Sequence, residues 1–278
     1  MSNCSSDYRL LDSGNCRKLE QVGKIRIVRP ALNAFWSPTL PESEWAKADS
    51  VFSRRNDGSG SWSVKLPESW IVDYAGFHIK VKPTSFGHLG FFAEQIDNWN
   101  YLSSLDGKGK NMLNLFGYSG LASMAMARSG ARVCHLDSSA GMIEWGREIQ
   151  KMNHDVPDSI RWITDDVIKF VRREIRRESR YDVISLDPPS FGRGSKGEVW
   201  KIENDLLKLL EMCREISNKN GDFTLILSCH TPGWSIAVLE RMVTEVFGEG
   251  TFASGEMFIT ESTGRKLPSG LSVTWHKK

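Results

Sequence analysis

The chain has 278 residues, of which 40% are hydrophobic and 25% are charged, and its formal net charge is +2. This length and composition allow one sizeable domain with a smaller one. The sequence has no apolar stretch of the roughly 18 residues that a membrane span needs, and no basic start followed by an apolar signal core. We therefore expect neither membrane insertion nor secretion, while the near-neutral charge balance neither indicates nor excludes nucleic acid.

The cysteines indicate a reducing compartment. There are five of them, an odd number without CxxC spacing: Cys4, Cys16, Cys134, Cys213 and Cys229. Such a set is typical of free thiols in a cytoplasmic protein and does not favour structural zinc. Because the six histidines are also scattered, we predict a cytoplasmic protein without a metal site.

The first 83 residues predict a small β-rich domain. Apolar and polar residues alternate at 25–28, 62–64 and 77–81, and polar, glycine-rich breaks such as 56–60 separate these runs. Pro83 is the expected boundary. We predict an N-terminal domain of residues 1–83 and a second domain of residues 84–278.

Strands and helices alternate in the second domain. Four apolar runs each precede a glycine turn or an acid: 111–116 precedes Gly117–Gly120, 131–136 precedes Asp137, 160–164 precedes Asp165 and Asp166, and 181–186 precedes Asp187. Segments 121–129, 141–152 and 167–180 have helical character between them. This alternation predicts an α/β fold with a mostly parallel, doubly wound sheet. The last two runs, 252–260 and 271–276, are so close in sequence that they should form an antiparallel hairpin.

The carboxyl ends of the parallel strands should form the ligand site, because ligands bind there in open α/β sheets. A glycine turn lets backbone N–H groups approach a ligand, and an acid such as Asp137 can accept both hydroxyls of a ribose. A dinucleotide and S-adenosylmethionine would both satisfy this much. The turn is GxxG rather than GxGxxG, and Asp187-Pro188-Pro189 has no obvious use in hydride transfer, so we favour the methyl donor.

These motifs together resemble a known family. The segments NLFGYSG (114–120), DSS (137–139), DDV (165–167) and DPPSF (187–191) are similar to the methyltransferase domain of bacterial rRNA base methyltransferases, which make 5-methylcytosine or 7-methylguanine. GFFAEQ (90–95) resembles the family's segment before the first strand. The resemblance covers about residues 84 to 278 and implies a Rossmann-like class I methyltransferase fold with a seven-stranded sheet.

The resemblance also implies a set of cofactor contacts. Phe92 and Gln95 would border S-adenosylmethionine, Gly117–Gly120 would face its methionine part, Asp137 would hold the ribose, and Asp166 would meet the adenine amine. The predicted cofactor-binding residues are Phe92, Gln95, Asn114, Phe116, Gly117, Tyr118, Ser119, Gly120, Asp137, Ser138, Ser139, Asp165, Asp166 and Asp187.

Two residues are predicted to act in catalysis, Asp187 and Cys229. In the family's cytosine enzymes, a thiol that Cys229 resembles attacks the pyrimidine ring, because carbon-5 of cytosine is not nucleophilic by itself. A small packing role is the alternative for Cys229. If the target is a nitrogen, no covalent step is needed, and Asp187 with the loop carbonyls would position that nitrogen.

The loop after the fourth motif strand is the predicted substrate-binding segment. Its residues are Pro188, Pro189, Ser190, Phe191, Arg193 and Lys196; the cytosine enzymes carry Lys where this chain has Ser190. Phe191 could stack on an extruded base or fill the space under the loop. Arg193 and Lys196, in a glycine-rich stretch that predicts mobility, could hold phosphates or belong to a surface loop without function.

The sequence as a whole predicts an S-adenosylmethionine-dependent methyltransferase that acts on a base of ribosomal RNA, at cytosine carbon-5 or at a guanine or adenine nitrogen. The predicted partner is RNA, with no membrane and no metal. The alternatives are a methyltransferase of another substrate such as protein, a nicotinamide-dependent oxidoreductase, and a non-catalytic RNA-binding assembly factor.

Overall fold

The computed structural model describes residues 7–55, 58–194 and 197–277. The chain forms two compact units, one of Met1–Ile96 with Phe258–Ser269 and one of Asp97–Met257 with Gly270–Lys278. The division of the sequence into domains 1–83 and 84–278 stays a prediction.

The first unit is rich in β-structure, as predicted. Its elements are β1 (Tyr8–Gly14), β2 (Arg17–Val22), β3 (Ile25–Pro30), α1 (Glu42–Trp45), β4 (Ser50–Arg54), β5 (Gly60–Trp62), β6 (Trp70–Tyr74), β7 (Phe77–Val81) and a 3-10 turn (Ala93–Gln95). β1 to β5 form one sheet in sequence order, and β6 pairs with β7 in a separate hairpin. The β3–β4 pair is parallel, whereas the other pairs are antiparallel.

Residues 258–269 complete the first unit through buried polar contacts. The Glu261 side chain is buried, accepts a hydrogen bond from the Ser13 hydroxyl at 2.5 Å, and binds the Arg265 guanidinium at 2.7 Å. Arg265 also binds buried Asp12 at 2.7 Å. The backbone of Ser262 donates to the carbonyl of Leu10 at 2.8 Å. The late segment is therefore bound to β1 by charged and backbone hydrogen bonds, which are the stronger kind in a buried setting.

The second unit contains the seven-stranded sheet. Its elements are α2 (Ile96–Ser104), β8 (Asn111–Leu115), α3 (Leu121–Arg128), β9 (Arg132–Asp137), α4 (Ala140–Met152), β10 (Ile160–Thr164), α5 (Val167–Arg176), β11 (Val183–Leu186), β12 (Phe191–Arg193), β13 (Val199–Lys201), α6 (Ile202–Ile216), β14 (Thr224–Cys229), α7 (Ile236–Phe247), β15 (Gly250–Thr260) and β16 (Lys266–Lys277). The strand order is β10-β9-β8-β11-β14-β16-β15. The first five strands are parallel and β16 runs antiparallel to β14, so the predicted fold class is confirmed.

The sheet is parallel because its central strands are apolar on both faces. All six residues of β14 are buried, and β8 and β11 are each buried at all but one position. Such strands need helices on both faces of the sheet, which the β–α alternation supplies. None of the helices in the described ranges is long and apolar enough to cross a membrane.

Two helices start with side-chain caps directly after a strand end. The Ser139 hydroxyl accepts from the backbone N–H of Met142 at the start of α4, and Asp166 Oδ1 accepts from the N–H of Lys169 at 2.9 Å at the start of α5. Capping satisfies N–H groups that have no partner inside the helix. It also fixes these residues at the sheet edge where the ligand site is expected.

A tryptophan ring occupies the space left by two glycines. A Cβ atom at Gly120 or Gly146 would lie 2.4 Å and 2.5 Å from ring atoms of Trp162, closer than carbon atoms can approach. The indole N–H of Trp162 donates to Gln150 Oε1 at 2.9 Å. The glycines therefore allow α3 and α4 to pack closely on β10.

This packing predicts opposite effects for two alanine substitutions in the same helix. Gly146→Ala should lower the free energy of unfolding by about 1–3 kcal/mol, since the new methyl group overpacks against Trp162. Gly141→Ala is the matched control, because its Cβ would meet only Ser139 Oγ at 3.8 Å. It should raise stability by up to about 1 kcal/mol through helix propensity. Urea unfolding checks this, and equal stability of the two variants would contradict the packing.

Candidate active site

The glycine turn after β8 has an unusual backbone. Phe116, Tyr118 and Gly120 have φ values of 56°, 52° and 85°. Positive φ is uncommon for residues other than glycine and is concentrated at functional sites. The turn is held by hydrogen bonds from Gly117 N–H to the Leu136 carbonyl at 2.9 Å and from Gly120 N–H to the Gly117 carbonyl at 3.0 Å.

Asp137 connects this turn to the end of β9. Its Oδ2 accepts from the backbone N–H of Tyr118 at 3.0 Å, and its Oδ1 accepts from the N–H of Ser139 at 2.9 Å. Burial raises the pKa of the Asp137 carboxyl, and hydrogen bonds from Ser139, Tyr118 and Ser138 oppose that rise. A carboxylate oxygen accepts more than one hydrogen bond, so both oxygens retain capacity for the hydroxyls of a ligand.

A buried polar chain lies beneath the turn. Asn114 Nδ2 donates to Ser123 Oγ at 2.8 Å, and Ser123 Oγ lies 2.9 Å from His135 Nδ1. Burial lowers the pKa of His135 to about 3, so its ring is neutral. A Cβ atom at Gly117 would lie 2.3 Å from this ring, which accounts for the glycine. The Asn114 amide thus supports the turn from below, and its contact with the cofactor stays a prediction.

The two acids after β10 have different surroundings. Asp165 accepts from the N–H of Asp166 at 2.8 Å with one oxygen and forms an ion pair with Arg173 through the other. In the part of the chain that the structure describes, the Asp166 side chain accepts a hydrogen bond at Oδ1, from the backbone N–H of Lys169. Asp166 Oδ2 is consequently the better placed oxygen for a donor on a ligand.

A cavity of about 100 Å³ joins predicted cofactor and substrate residues. Its lining includes residues after β8, β9 and β10, which are Phe116, Leu136, Asp137, Ser138, Asp165, Asp166 and Val167, and residues from the segment after β11, which are Pro189, Gly192, Arg193, Gly194, Glu198 and Trp200. The rings of Phe116 and Trp200 lie 5.0 Å apart, and Trp200 donates to the Pro189 carbonyl at 2.7 Å. Carboxylates beside an aromatic and apolar wall suit an adenosine, whose hydroxyl and amine groups are donors and whose ring is flat.

Asp187 is accompanied by a histidine that the sequence analysis did not single out. His230 Nε2 lies 3.4 Å from Asp187 Oδ1, and the side chains are about one third exposed. A Cβ atom at Gly270 would lie 2.7 Å from His230 Nδ1, so this glycine provides space for the ring. The position of His230 directly after β14 is the signal that could have identified it. β14 is the parallel neighbour of β11, the strand before Asp187.

Cys229 has the surroundings of a packing residue. Its side chain is buried, with 1% of the residue exposed. Burial raises the pKa of the thiol; hydrogen bonds with Thr231 oppose the shift and the charge of Asp187 adds to it. A protonated, buried thiol is a weak nucleophile. The assignment of Cys229 as a catalytic residue stays a prediction.

The substrate segment is anchored at its start and exposed further along. Ser190 Oγ lies 2.8 Å from Thr231 Oγ1, which connects the loop after β11 to the loop after β14. Phe191 is 52% exposed, and the Arg193 guanidinium lies 5.8 Å from the centre of its ring. Phe191–Arg193 pairs with β13, so the stretch that predicted a mobile loop begins as a short hairpin. Lys196 lies outside the described residues.

The remaining predicted cofactor residues belong to the first unit. Gln95 is buried in the 3-10 turn, and the Phe92 ring lies 5.4 Å from the His88 ring. Their contacts with a cofactor stay predictions. In the second unit, Ser119 is buried and the Tyr118 ring lies 6.2 Å from Trp145. Across the described ranges, no group of His, Cys, Asp and Glu side chains could hold a metal ion.

Comparison with protein families gives one clear match. The family model of S-adenosylmethionine-dependent methyltransferases matches residues 38–237. Among curated proteins, the "Ribosomal RNA large subunit methyltransferase K/L" of Pseudoalteromonas translucida is 28% identical over 173 residues, which are 62% of this chain and 24% of that protein. The protein of the same name from a Shewanella species is 30% identical over 118 residues, 41% of this chain and 16% of that protein. The chain thus spans a quarter or less of the length of these relatives.

Solved structures match more completely. An S-adenosylmethionine-dependent methyltransferase from Agrobacterium tumefaciens is 38% identical, with a TM-score of 0.90, and the match covers 100% of this chain and 92% of that one. The chain SMU.776, solved with SAH, is 18% identical with a TM-score of 0.76, and the match covers 98% of this chain and 76% of that one. The second similarity concerns the fold alone.

Asp137 generates a prediction about cofactor binding. Asp137→Ala should weaken the binding of S-adenosylmethionine about tenfold to a hundredfold, since it removes the ribose acceptor and releases the N–H groups of Tyr118 and Ser139. Asp158→Ala, the loss of an exposed acid before β10, is the control and should bind like the wild type. Isothermal titration calorimetry measures both. Unchanged affinity in Asp137→Ala would show that the carboxylate is not a ligand.

Proposed function

This chain belongs to the S-adenosylmethionine-dependent methyltransferases, and on that premise we propose that it methylates a nitrogen atom of a base in ribosomal RNA. The observation that carries the proposal is the cavity whose lining contains Pro189 and Arg193 together with Asp137 and Asp166. The segment after β11 is thereby beside the expected cofactor position. The names of the two curated relatives support ribosomal RNA as the substrate class.

The burial of Cys229 favours nitrogen over carbon. Methylation of cytosine carbon-5 needs a thiolate that adds to the ring, and the Cys229 thiol is buried with a raised pKa. A base nitrogen already carries a lone pair and needs no covalent adduct. What such a nitrogen needs is a fixed position and, for an amine or imino nitrogen, a group that takes its proton.

The residues after β8, β9 and β10 would hold the cofactor. Asp137 would accept the ribose hydroxyls, Asp166 Oδ2 the adenine amine, and the turn of Gly117–Gly120 would face the methionine part. When bound, S-adenosylmethionine supplies a methyl group on a positively charged sulfur, which the attacking nitrogen takes with release of S-adenosylhomocysteine. The glycines of the turn allow this arrangement because a Cβ atom at Gly117 or Gly120 would collide with the ring of His135 or Trp162.

The residues after β11 and β14 would hold the base and take up its proton. Asp187 and the loop carbonyls accept hydrogen bonds from the target nitrogen. His230, 3.4 Å from Asp187, is placed to receive the proton from that carboxylate. Ser190 and Thr231 fix the loop, so that the position of Asp187 is maintained while the base enters.

The exposed part of the loop would contact the RNA itself. Phe191 is open to solvent and offers a flat ring on which an extruded base can stack. Arg193 lies next to this ring and carries the charge that a neighbouring phosphate needs.

Methyl transfer to RNA tests the proposal directly. Purified wild-type protein, Cys229→Ala and Cys213→Ala are incubated with tritium-labelled S-adenosylmethionine and either total RNA or total protein. Cys213 is a matched control because it is another buried cysteine, on α6. We expect label in ribosomal RNA for all three. Label only in protein would overturn the RNA assignment, and loss of label in Cys229→Ala alone would indicate carbon-5 methylation through a covalent adduct.

Asp187 should matter for turnover rather than for cofactor binding. Asp187→Asn should lower the rate of methyl transfer by about a hundredfold or more, since a positioned acid–base group contributes roughly 10²–10⁴ in rate. Cofactor affinity, measured by calorimetry, should change little. Asp222→Asn, an exposed acid before β14, is the control. A wild-type rate in Asp187→Asn would refute its catalytic role.

A further inference from the structure

The first unit contains a cavity of its own. It has a volume of about 170 Å³ and is lined by residues of β1 to β4 and of segment 86–94. Three cations line it, one from each of three neighbouring strands: Lys18 of β2, Arg29 of β3 and Arg54 of β4. Lys18 and Arg29 are directly paired across β2 and β3. Like charges that face each other across a strand pair are destabilising unless a counter-charge lies near both.

One buried carboxylate holds two of these cations in place. The Glu20 side chain is fully buried, and its oxygens accept from Arg29 Nε and Nη2, each at 2.7 Å. Lys18 Nζ lies 3.3 Å from Glu20 Oε1, and the Tyr8 hydroxyl donates to the same oxygen at 2.8 Å. Burial would raise the pKa of Glu20, but Arg29 and Lys18 lower it to about 2, so the group is ionised.

The cations exceed the carboxylates around the cavity. Glu94 is the acid on the lining, and Glu20, which is not part of the lining, binds Lys18 and Arg29; counted together, three cations exceed two carboxylates by one positive charge. His88 adds no charge, because burial lowers its pKa to about 4, with Arg29, Arg54 and Lys18 lowering it further. The cavity therefore offers a net positive, partly desolvated surface. An anion in it would meet charges that are screened less than those on an open surface.

The rim of the cavity is aromatic. Phe86 is 54% exposed, although a large apolar side chain is usually covered. Its ring centre lies 6.4 Å from that of His88 with an angle of 33° between the planes, and the Phe92 ring follows at 5.4 Å from His88. A nucleotide has a flat base and a negatively charged phosphate. Flat rings can stack on the base, and fixed cations beside them can bind the phosphate.

We propose that this cavity binds one nucleotide of the RNA substrate, with the phosphate at Lys18, Arg29 and Arg54 and the base against Phe86 and His88. The proposal rests on the proposed function. A contact of this kind is tolerant of sequence, because every base has a flat face and every nucleotide a phosphate. Its role is to position the RNA on the first unit. Binding would cost little conformational entropy at Arg29, because Glu20 already fixes the guanidinium group of this residue.

The test uses two exposed rim residues with matched controls. Arg54→Gln is compared with Arg55→Gln, the adjacent exposed arginine that is not part of the lining, and Phe86→Ala with Phe35→Ala, a phenylalanine that is 81% exposed. Binding of an unmodified bacterial large-subunit ribosomal RNA transcript is measured at several salt concentrations, with and without excess uridine monophosphate. Binding of S-adenosylmethionine and methyl transfer are measured on the same proteins.

We expect Phe86→Ala to weaken binding of the transcript about tenfold, as loss of one stacked base does. Arg54→Gln should reduce the dependence of log affinity on log salt by about 0.7–0.9, as loss of one phosphate contact does. Both controls should bind like the wild type, and cofactor affinity should be unchanged in all four variants.

Other results would overturn the proposal in distinguishable ways. If the wild type binds and methylates the transcript and the rim variants match their controls, the proposed function stands and the nucleotide site does not. If the rim variants lose cofactor affinity, the cavity serves the cofactor. If uridine monophosphate binds while the rim variants bind RNA normally, the cavity takes a free nucleotide. If the wild type neither binds nor methylates the transcript, the proposed function fails and this inference fails with it.

Discussion

The hydrogen bonds of the Asp137 carboxylate are the interaction on which the candidate active site depends. It accepts backbone N–H groups from the turn after β8 and from the start of α4, so two loops from neighbouring strands take their positions from one side chain. The turn in addition has two residues other than glycine with positive φ, Phe116 and Tyr118, and this costs energy that surrounding contacts must offset. Asp137 above and the Asn114, Ser123 and His135 chain below supply those contacts. The turn is thus held by contacts within the chain itself, and such contacts reduce the ordering that binding requires.

The sequence predicted the part of the fold that depends on local patterns. Each apolar run predicts a strand, and the glycine turn or acid after it predicts the chemistry at the end of that strand. The seven-stranded sheet follows from these strands. His230 was missed because its relation to Asp187 depends on which strands are neighbours. The β12–β13 hairpin was missed because its strands have three residues each, too few for an alternating pattern. Lys18, Arg29 and Arg54 were not grouped, because their proximity depends on the register of three strands.

The two units solve the problem of buried charge differently. In the second unit, two titratable groups near the turn are either uncharged or hydrogen-bonded to a helix start. His135 is uncharged, and Asp166 accepts a helix N–H. In the first unit, charges stay ionised and are arranged around Glu20, whose pKa near 2 leaves a carboxylate at any ordinary pH. Removing one partner of such a buried set is strongly destabilising, since it leaves an uncompensated charge. The arrangement around Glu20 places Lys18 and Arg29 on the lining of the cavity in the first unit.

The contribution of residues 258–269 to the first unit has a consequence for biosynthesis. A ribosome makes β1 more than two hundred residues before the hairpin segment that contains Glu261 and Arg265. Until then, Asp12 lacks the Arg265 guanidinium and Ser13 lacks its carboxylate acceptor. Asp12 meanwhile can accept hydrogen bonds from Thr39, Leu40 and Trp45, which are made soon after β1. The contacts that join residues 258–269 to β1 therefore form late in the synthesis of the chain.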